Sequence, residues 1–421
     1  MIDVKAMGAY GDGRSHPLSE VYATLQAAQH VYPFVTSLTQ EIDWAVIQAA
    51  VNSVDLSSAT NTVLLPAGAY VIANPLQYTR LGVQLQGEGK PCIASGYDGQ
   101  AAGTRIVARH DFNGECVIDV SPQALPGGGS AFQWVYGQGL CNVCVDVTDC
   151  PAQLAIRIRA GSNFPVWRDV AVTGNAGTAL LCEPNPVVGS AFCEGLAFAN
   201  LHVGGGRLRN GSCSGYAPLY PAVRLVSCNE MLFLGGKVLY SYGNGWNYAQ
   251  IPVRGDQSDV PAFSLETTVD GINGSQAITF DSMSTSSYAV HYRASDCYYA
   301  PANCWAKPNW IVWRDCTFEN FNRGIEFRLN SHSAHSGSNI WKSQGITVPM
   351  GNRFQTTFGA NARKIVMNHV TGGLLCTDNG ETGAAPMVEL LENTDGILYR
   401  IPRSGAGAAQ VRDLGLGNTA L

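Results

Sequence analysis

The sequence predicts an all-β fold, a parallel β-helix (solenoid) of short stacked strands behind a short N-terminal helical cap. Three observations predict it. Helical periodicity is confined to two segments before residue 60. Beyond them, a chain with 47 glycines runs through short stretches of Val, Ile, Leu and Phe at alternating positions, the texture of brief strands separated by turns. A strand pattern then recurs at irregular intervals, as stacked coils with loops of unequal size require.

The cap comes first. In "VKAMGAYGDGRSHP", residues 4–17, Gly8, Gly11 and Gly13 crowd beside Asp12. A phosphate-cradling loop would open a helix directly and offer a Lys, whereas this stretch runs into Pro17. The glycines therefore read as a hinge that turns the chain toward the capping helices. The stronger helix is expected from about Thr39 to Ser53, with Thr39 as its cap, and the weaker one over 22–32. Residues 1–60 are expected to form the first strand and cap, 61–375 the β-helix, and 376–421 a segment that closes or extends it.

The recurring pattern is a small residue followed by alternating apolar and variable positions. It appears as "AIRIRA" (155–160), "ALLCEP" (179–184), "AVRLVS" (222–227), "AFSLET" (262–267), "AVHYRA" (289–294) and "GIEFRL" (324–329). A second kind of strand accompanies most of these: "VWRDVAV" from 166, "AFANLHV" from 197, "AITFDSM" from 277, "VWRDCTF" from 312 and "IVMNHV" from 365. Aligning the second kind stacks Asp169, Asn200, Asp281, Asp315 and Asn368, residue types suited to a repeated tight bend.

Because alternate side chains of a strand face opposite ways, the variable positions of the first pattern share one outward face. They form two columns: Arg157, Leu181, Arg224, Ser264, His291, Glu326, and Arg159, Glu183, Val226, Glu266, Arg293, Arg328. Only 14% of the chain is charged, so this concentration of charge stands out.

A net charge of −6 argues against nucleic acid and anionic membrane as partners, since both need a basic face. No apolar run reaches the roughly 20 residues of a membrane span, and the N-terminus lacks a secretory signal pattern. The 13 cysteines are therefore expected to be mostly free thiols of a chain folded in reducing cytoplasm. Cys141 and Cys144 read as strand positions, because a zinc site would want a second pair. No metal or cofactor is expected.

Asp3-Val4-Lys5 with Gly8-Ala9-x-Gly11-Asp12-Gly13, Ala45-x-Ile47-Gln48-Ala49-Ala50, "TVLLPAGAYVI" (62–72) and "LGVQLQGEG" (81–89) together resemble the N-terminal signature of pectate-lyase-like right-handed parallel β-helix proteins. The helical insertion before Trp44 resembles bacteriophage tailspikes of that superfamily. The resemblance implies a homotrimer in the virion tail, made in the host cytoplasm and joined to other tail proteins, that binds and degrades a capsule or O-antigen polysaccharide. The polygalacturonase branch carries Asn-Thr-Asp, paired-Asp and Gly-His-Gly motifs in its central coils, and the central part of this chain has none of them, which argues against pectin hydrolysis but not against polysaccharide cleavage in general.

Glycosidic cleavage needs one carboxylic acid to protonate the leaving oxygen and one carboxylate as base or nucleophile. Glu266 and Glu326 on the outward columns are the catalytic candidates, with Asp256 of the 240–261 insertion in reserve. Arg224, His291 and Arg293 would contact substrate from the same face. Trp246 and Tyr248 of that insertion, and Trp305 of the cluster "SDCYYAPANCWAKPNW", would offer sugars flat apolar surfaces. The same charged residues also read as ladders that satisfy one another. A polysaccharide lyase with Arg224, His291 and Arg293 as base and clamp, and a glycan adhesin without catalysis, are the alternative functions.

Overall fold

The computed structural model describes residues 1–54, 61–78, 82–89, 103–121, 135–148, 150, 152, 154–159, 161–162, 166–174, 177–185, 192–204, 221–239, 261–266, 275–286, 289–293, 311–319, 323–328, 346–348, 352–355, 363–368, 374–376, 380–382 and 388–390. Among them the strands form an 18-stranded sheet, a ten-stranded sheet and one two-stranded pair. Every strand pairing is parallel, and each strand pairs with its counterpart in the coils before and after it, so the chain is a parallel β-helix. Parallel crossovers are right-handed almost without exception, and that is the hand expected of this solenoid. The coils continue through Leu390, where 388–390 pairs with 363–368.

The six copies of the small-apolar-variable pattern fall on strands of the ten-stranded sheet, at Leu154–Arg159, Thr178–Glu183, Val223–Val226, Pro261–Glu266, Ala289–Arg293 and Arg323–Arg328. The second kind belongs to the 18-stranded sheet, with one correction. "IVMNHV" lies in Arg363–Asn368, which pairs with Arg323–Arg328 in the ten-stranded sheet, so Asn368 is not a bend residue.

The bend itself is real, and its column is Asn142, Asp169, Asn200, Gly235, Ser282 and Asp315, all with φ between 52° and 64°. Asp281 stands one position before it and pairs with Arg314, while Ser282 takes the left-handed conformation. Asn and Asp tolerate that region, and Gly enters it without strain, so the bend selects these types without demanding one of them. Each bend splits one long strand into two faces, which with the ten-stranded sheet gives three sides to the coil.

Inside the coil, Trp167, Phe198, Phe233, Phe280 and Trp313 occupy one register position in five successive coils. Their rings form a ladder, with centroids 4.9 Å apart for Phe198–Phe233, 5.1 Å for Phe233–Phe280 and 3.8 Å for Phe280–Trp313. Identical positions stacked at the strand spacing of about 4.8 Å bring flat rings into contact, and the ladder pins the register of the coils.

The cap comprises α1 (Leu25–Val31) and α2 (Ile42–Ser53). α1 starts later than expected because Thr24 is its cap, accepting the Ala27 N–H at 3.2 Å. α2 begins at Ile42, not near Thr39; Glu41 is its N-cap residue and makes no side-chain cap. The Glu41 carboxylate is committed elsewhere, to the Ser15 hydroxyl, the His16 N–H and Arg109. α2 lies over the end of the first coil, where Gln48 donates to the Gln77 carbonyl and accepts the Gln77 N–H, both at 2.8 Å. An amide side chain thus replaces the strand that the coil end lacks.

The hinge glycines have positive φ, 108° at Gly8, 62° at Gly11 and 83° at Gly13. A Cβ at Gly11 would stand 2.9 Å from the Tyr70 ring. Asp43 of α2 accepts the N–H groups of Tyr10 (2.7 Å), Gly11 (3.3 Å) and Val71 (3.1 Å), which locks the hinge to the first coil. Burial raises the Asp43 carboxyl pKa, and those three donors work against the rise.

Candidate active site

The ten-stranded sheet presents the first outward column in unbroken register. Arg157 pairs with Leu181, Leu181 with Arg224, Arg224 with Ser264, Ser264 with His291 and His291 with Glu326. In the second column Arg159 pairs with Glu183, Val226 with Glu266 and Arg293 with Arg328. Glu326 therefore stands two coils from Glu266, about 10 Å along the stack, and one column aside.

Where side chains are described, the charges are coupled. Arg224 donates to both Glu266 oxygens, at 2.9 and 2.7 Å. Arg159 donates to Glu183 at 2.7 Å. Arg157 donates to both oxygens of Asp119, at 3.2 and 2.6 Å, and to Glu115 at 2.8 Å. Burial acts against the charge of Arg157, but the hydrogen bonds and field of Asp119 outweigh it, and its pKa lies above the ordinary guanidinium value. The Glu266 backbone is fixed as well, its carbonyl accepting the Ser227 N–H at 2.9 Å and the Ser275 hydroxyl at 3.1 Å.

Both Glu266 oxygens accept from one guanidinium, so neither is placed to hand a proton to another group. The geometry thus suits Glu266 to a base or nucleophile and leaves the acid to another group. His291, Arg293 and Glu326 are placed by their backbone register alone. Asp256, Trp246, Tyr248 and Trp305 lie outside the described residues.

Asp119 joins the ladder one coil before Arg157, and the sequence pattern passed over it. "VIDVS" (117–121) has the alternation but carries Val117 where the other copies have Ala, Gly or another small residue. Ser121 donates its hydroxyl to Asp119. The sequence pattern also passed over Glu194, which lies off the ladder in the two-residue strand Cys193–Glu194 of the 18-stranded sheet, paired with Asn229. Burial raises its carboxyl pKa, and Glu230 and Cys193 add in the same direction. Among the described residues no three His, Cys, Asp or Glu side chains come together as a metal site.

No family model matches the chain, and no curated protein matches it significantly. Among solved structures it is similar to the tailspike protein gp49 from Pseudomonas phage LKA1, at 14% identity over 96% of this chain and 78% of that one, with a TM-score of 0.49. It is also similar to PfbA, a surface adhesin of Streptococcus pneumoniae (12%, covering 95% and 79%, TM-score 0.46). A third is endo-xylogalacturonan hydrolase from Aspergillus tubingensis (14%, covering 86% and 96%, TM-score 0.46).

Proposed function

We propose that this protein is a phage tailspike that binds a bacterial surface polysaccharide, capsule or O-antigen, and depolymerises it by glycoside hydrolysis on the outward face of the ten-stranded sheet. The observation that carries the reading is the register, which sets Arg224, Ser264, His291 and Glu326 in one line with Glu266 beside them. Glu266, held by Arg224, serves as base or nucleophile, and Glu326 as the acid. Long side chains two coils apart span the roughly 6.5–9.5 Å at which inverting enzymes hold their carboxyl groups. Arg293, His291 and the aromatic residues Trp246, Tyr248 and Trp305 orient the sugar, and Asp256 is a reserve acid. A homotrimer displayed on the virion tail follows from the N-terminal resemblance.

One observation favours a second reading, a glycan adhesin without catalysis. Each described Arg of the ladder already holds a carboxylate, as a purely structural ladder would. Incubation with capsule or lipopolysaccharide from candidate hosts, followed by product sizing, separates the two, since an adhesin leaves the polymer intact. A new ultraviolet-absorbing unsaturated product would point to a lyase. Full depolymerising activity in both Glu266→Gln and Glu326→Gln would remove these residues from the chemistry.

A further inference from the structure

The bend column carries a second constellation, on a different side of the coil from the carboxylate ladder. Asn200 donates its amide to Asp169 Oδ1 at 2.6 Å, and His202 Nε2 lies 2.7 Å from Asn200 Oδ1. The three groups fix one another. A carboxylate only accepts, so Asn200 turns its nitrogen to Asp169 and its oxygen to His202. An amide oxygen also only accepts, so His202 Nε2 carries a proton, and a second proton adds at Nδ1.

His202 stands in register with Lys237 of the next coil. The same outward column continues through Ser284 and Thr317. Four successive coils thus place an imidazole, an ammonium and two hydroxyls in one line, at about 4.8 Å per coil, with no carboxylate among them. His202, Lys237, Ser284 and Thr317 are all partly exposed. Among the described residues the Lys237 ammonium takes part in no hydrogen bond or ion pair, whereas Arg157, Arg159 and Arg224 of the ten-stranded sheet are each held by a carboxylate. Nearby negative charge is already engaged: Asp169 by Asn200, with Arg168 3.7 Å away, and Asp146 by Arg105 at 3.5 Å.

We propose that this column is a binding site for the carboxylate groups of an acidic polysaccharide, with Lys237 and His202 as the principal contacts and the hydroxyls of Ser284 and Thr317 extending it. Donors repeated along a straight line match a polymer that carries its acid groups at intervals, and a charged hydrogen bond supplies more affinity than a neutral one. Asp169 and Asn200 are positioning residues that hold the imidazole with Nε2 turned inward to the bend. The proposal rests on reading the protein as glycan-binding but is independent of the hydrolytic chemistry.

The test is titration calorimetry of the full chain with oligogalacturonate, oligoglucuronate and alginate oligosaccharides, against maltohexaose as a neutral control. At least one acidic oligosaccharide is expected to bind and maltohexaose not, with Lys237→Met and His202→Gln each weakening binding by about tenfold or more. Thermal unfolding of both variants shows whether each still folds, and Ser284→Ala provides a milder change in the same direction. In nitrogen-edited spectra the neutral His202 ring is expected in the Nε2–H form and to shift when the oligosaccharide is added. Absence of binding by all three acidic probes, equal binding of maltohexaose, or unchanged affinity in folded Lys237→Met would overturn the proposal. Loss of depolymerisation in Glu266→Gln with acidic binding intact would separate this site from the catalytic one.

Discussion

Arg224 and Glu266, 42 residues apart in sequence, meet across neighbouring coils through two hydrogen bonds of 2.9 and 2.7 Å. Glu266 is 9% exposed, which makes it one of the few buried carboxylates of the ladder. A half-buried ion pair matters most when it is broken on one side only, because the remaining charge is then stranded.

Accordingly, Arg224→Met is expected to cost about 1–3 kcal/mol of folding stability, and the double change Arg224→Met with Glu266→Gln less than the sum of the two. Denaturant titration of the four proteins in the cycle checks this. Additive losses would mean that the pair is not coupled in solution.

The bend makes a prediction that separates two adjacent glycines. Gly235 (φ 64°) occupies the place that Asn142, Asp169 and Asn200 fill in other coils, and a Cβ there meets nothing within 4 Å. Gly235→Asn should stay within about 1 kcal/mol of the parent. Gly236 (φ 105°) is different, because its Cβ would collide with the Leu201 carbonyl oxygen of the preceding coil. Gly236→Ala should cost at least about 2 kcal/mol, read as a lowered denaturation midpoint.

At the cap, the His16 ring lies 2.8 Å from Glu20 and 3.1 Å from Asp12, stacked on Tyr10 at 4.0 Å. The Glu20 hydrogen bond, then Asp12, raises the His16 pKa above its ordinary 6.5. A raised imidazole pKa stabilises the fold fully below about 6.5, and that contribution disappears as pH climbs through the folded-state value. The melting temperature of the parent should therefore fall between about pH 6 and pH 8 relative to His16→Gln, which lacks this titration. Parallel curves over that window would exclude the clasp.

The described thiols predict a chemical outcome. Cys182, Cys193, Cys228 and Cys316 are fully buried. Burial pushes the Cys316 thiol up to about 12, and raises Cys182 and Cys228 well above the usual range with a contribution from Cys193. Thiols so shifted carry almost no thiolate at pH 8 and do not react. Iodoacetamide labelling of the folded protein, mapped by mass spectrometry, should leave these four unmodified until denaturant is added.

How much was legible in advance differs between features. The pattern in "AVRLVS" and its five counterparts located strands of the ten-stranded sheet and both outward columns, because period-two alternation encodes which face a side chain takes. The bend was legible as a type of residue but not as a position. Gly235 and Ser282 serve it as well as Asn200 does, so aligning Asp and Asn alone drew in Asp281 and Asn368 wrongly. Asp119 was missed because Val117 fills a place where the other copies have small residues, and the start of α2 shifted because Glu41 answers to Arg109 and Ser15 rather than to its own helix.

By itself, then, the sequence determined the coil: alternation, glycines and turn residues are local properties, and repeated they leave a parallel solenoid as the way to bury each apolar face. Partnership was decided only in three dimensions. That Glu266 answers Arg224, that four aromatic rings from Phe198 to Trp313 stack, and that Lys237 stands beside a His202 oriented through Asn200 by Asp169 all depend on the lengths of the intervening loops. Those lengths are irregular, and only closure of each coil onto the last converts them into a register in which residues dozens of positions apart become neighbours about 4.8 Å away.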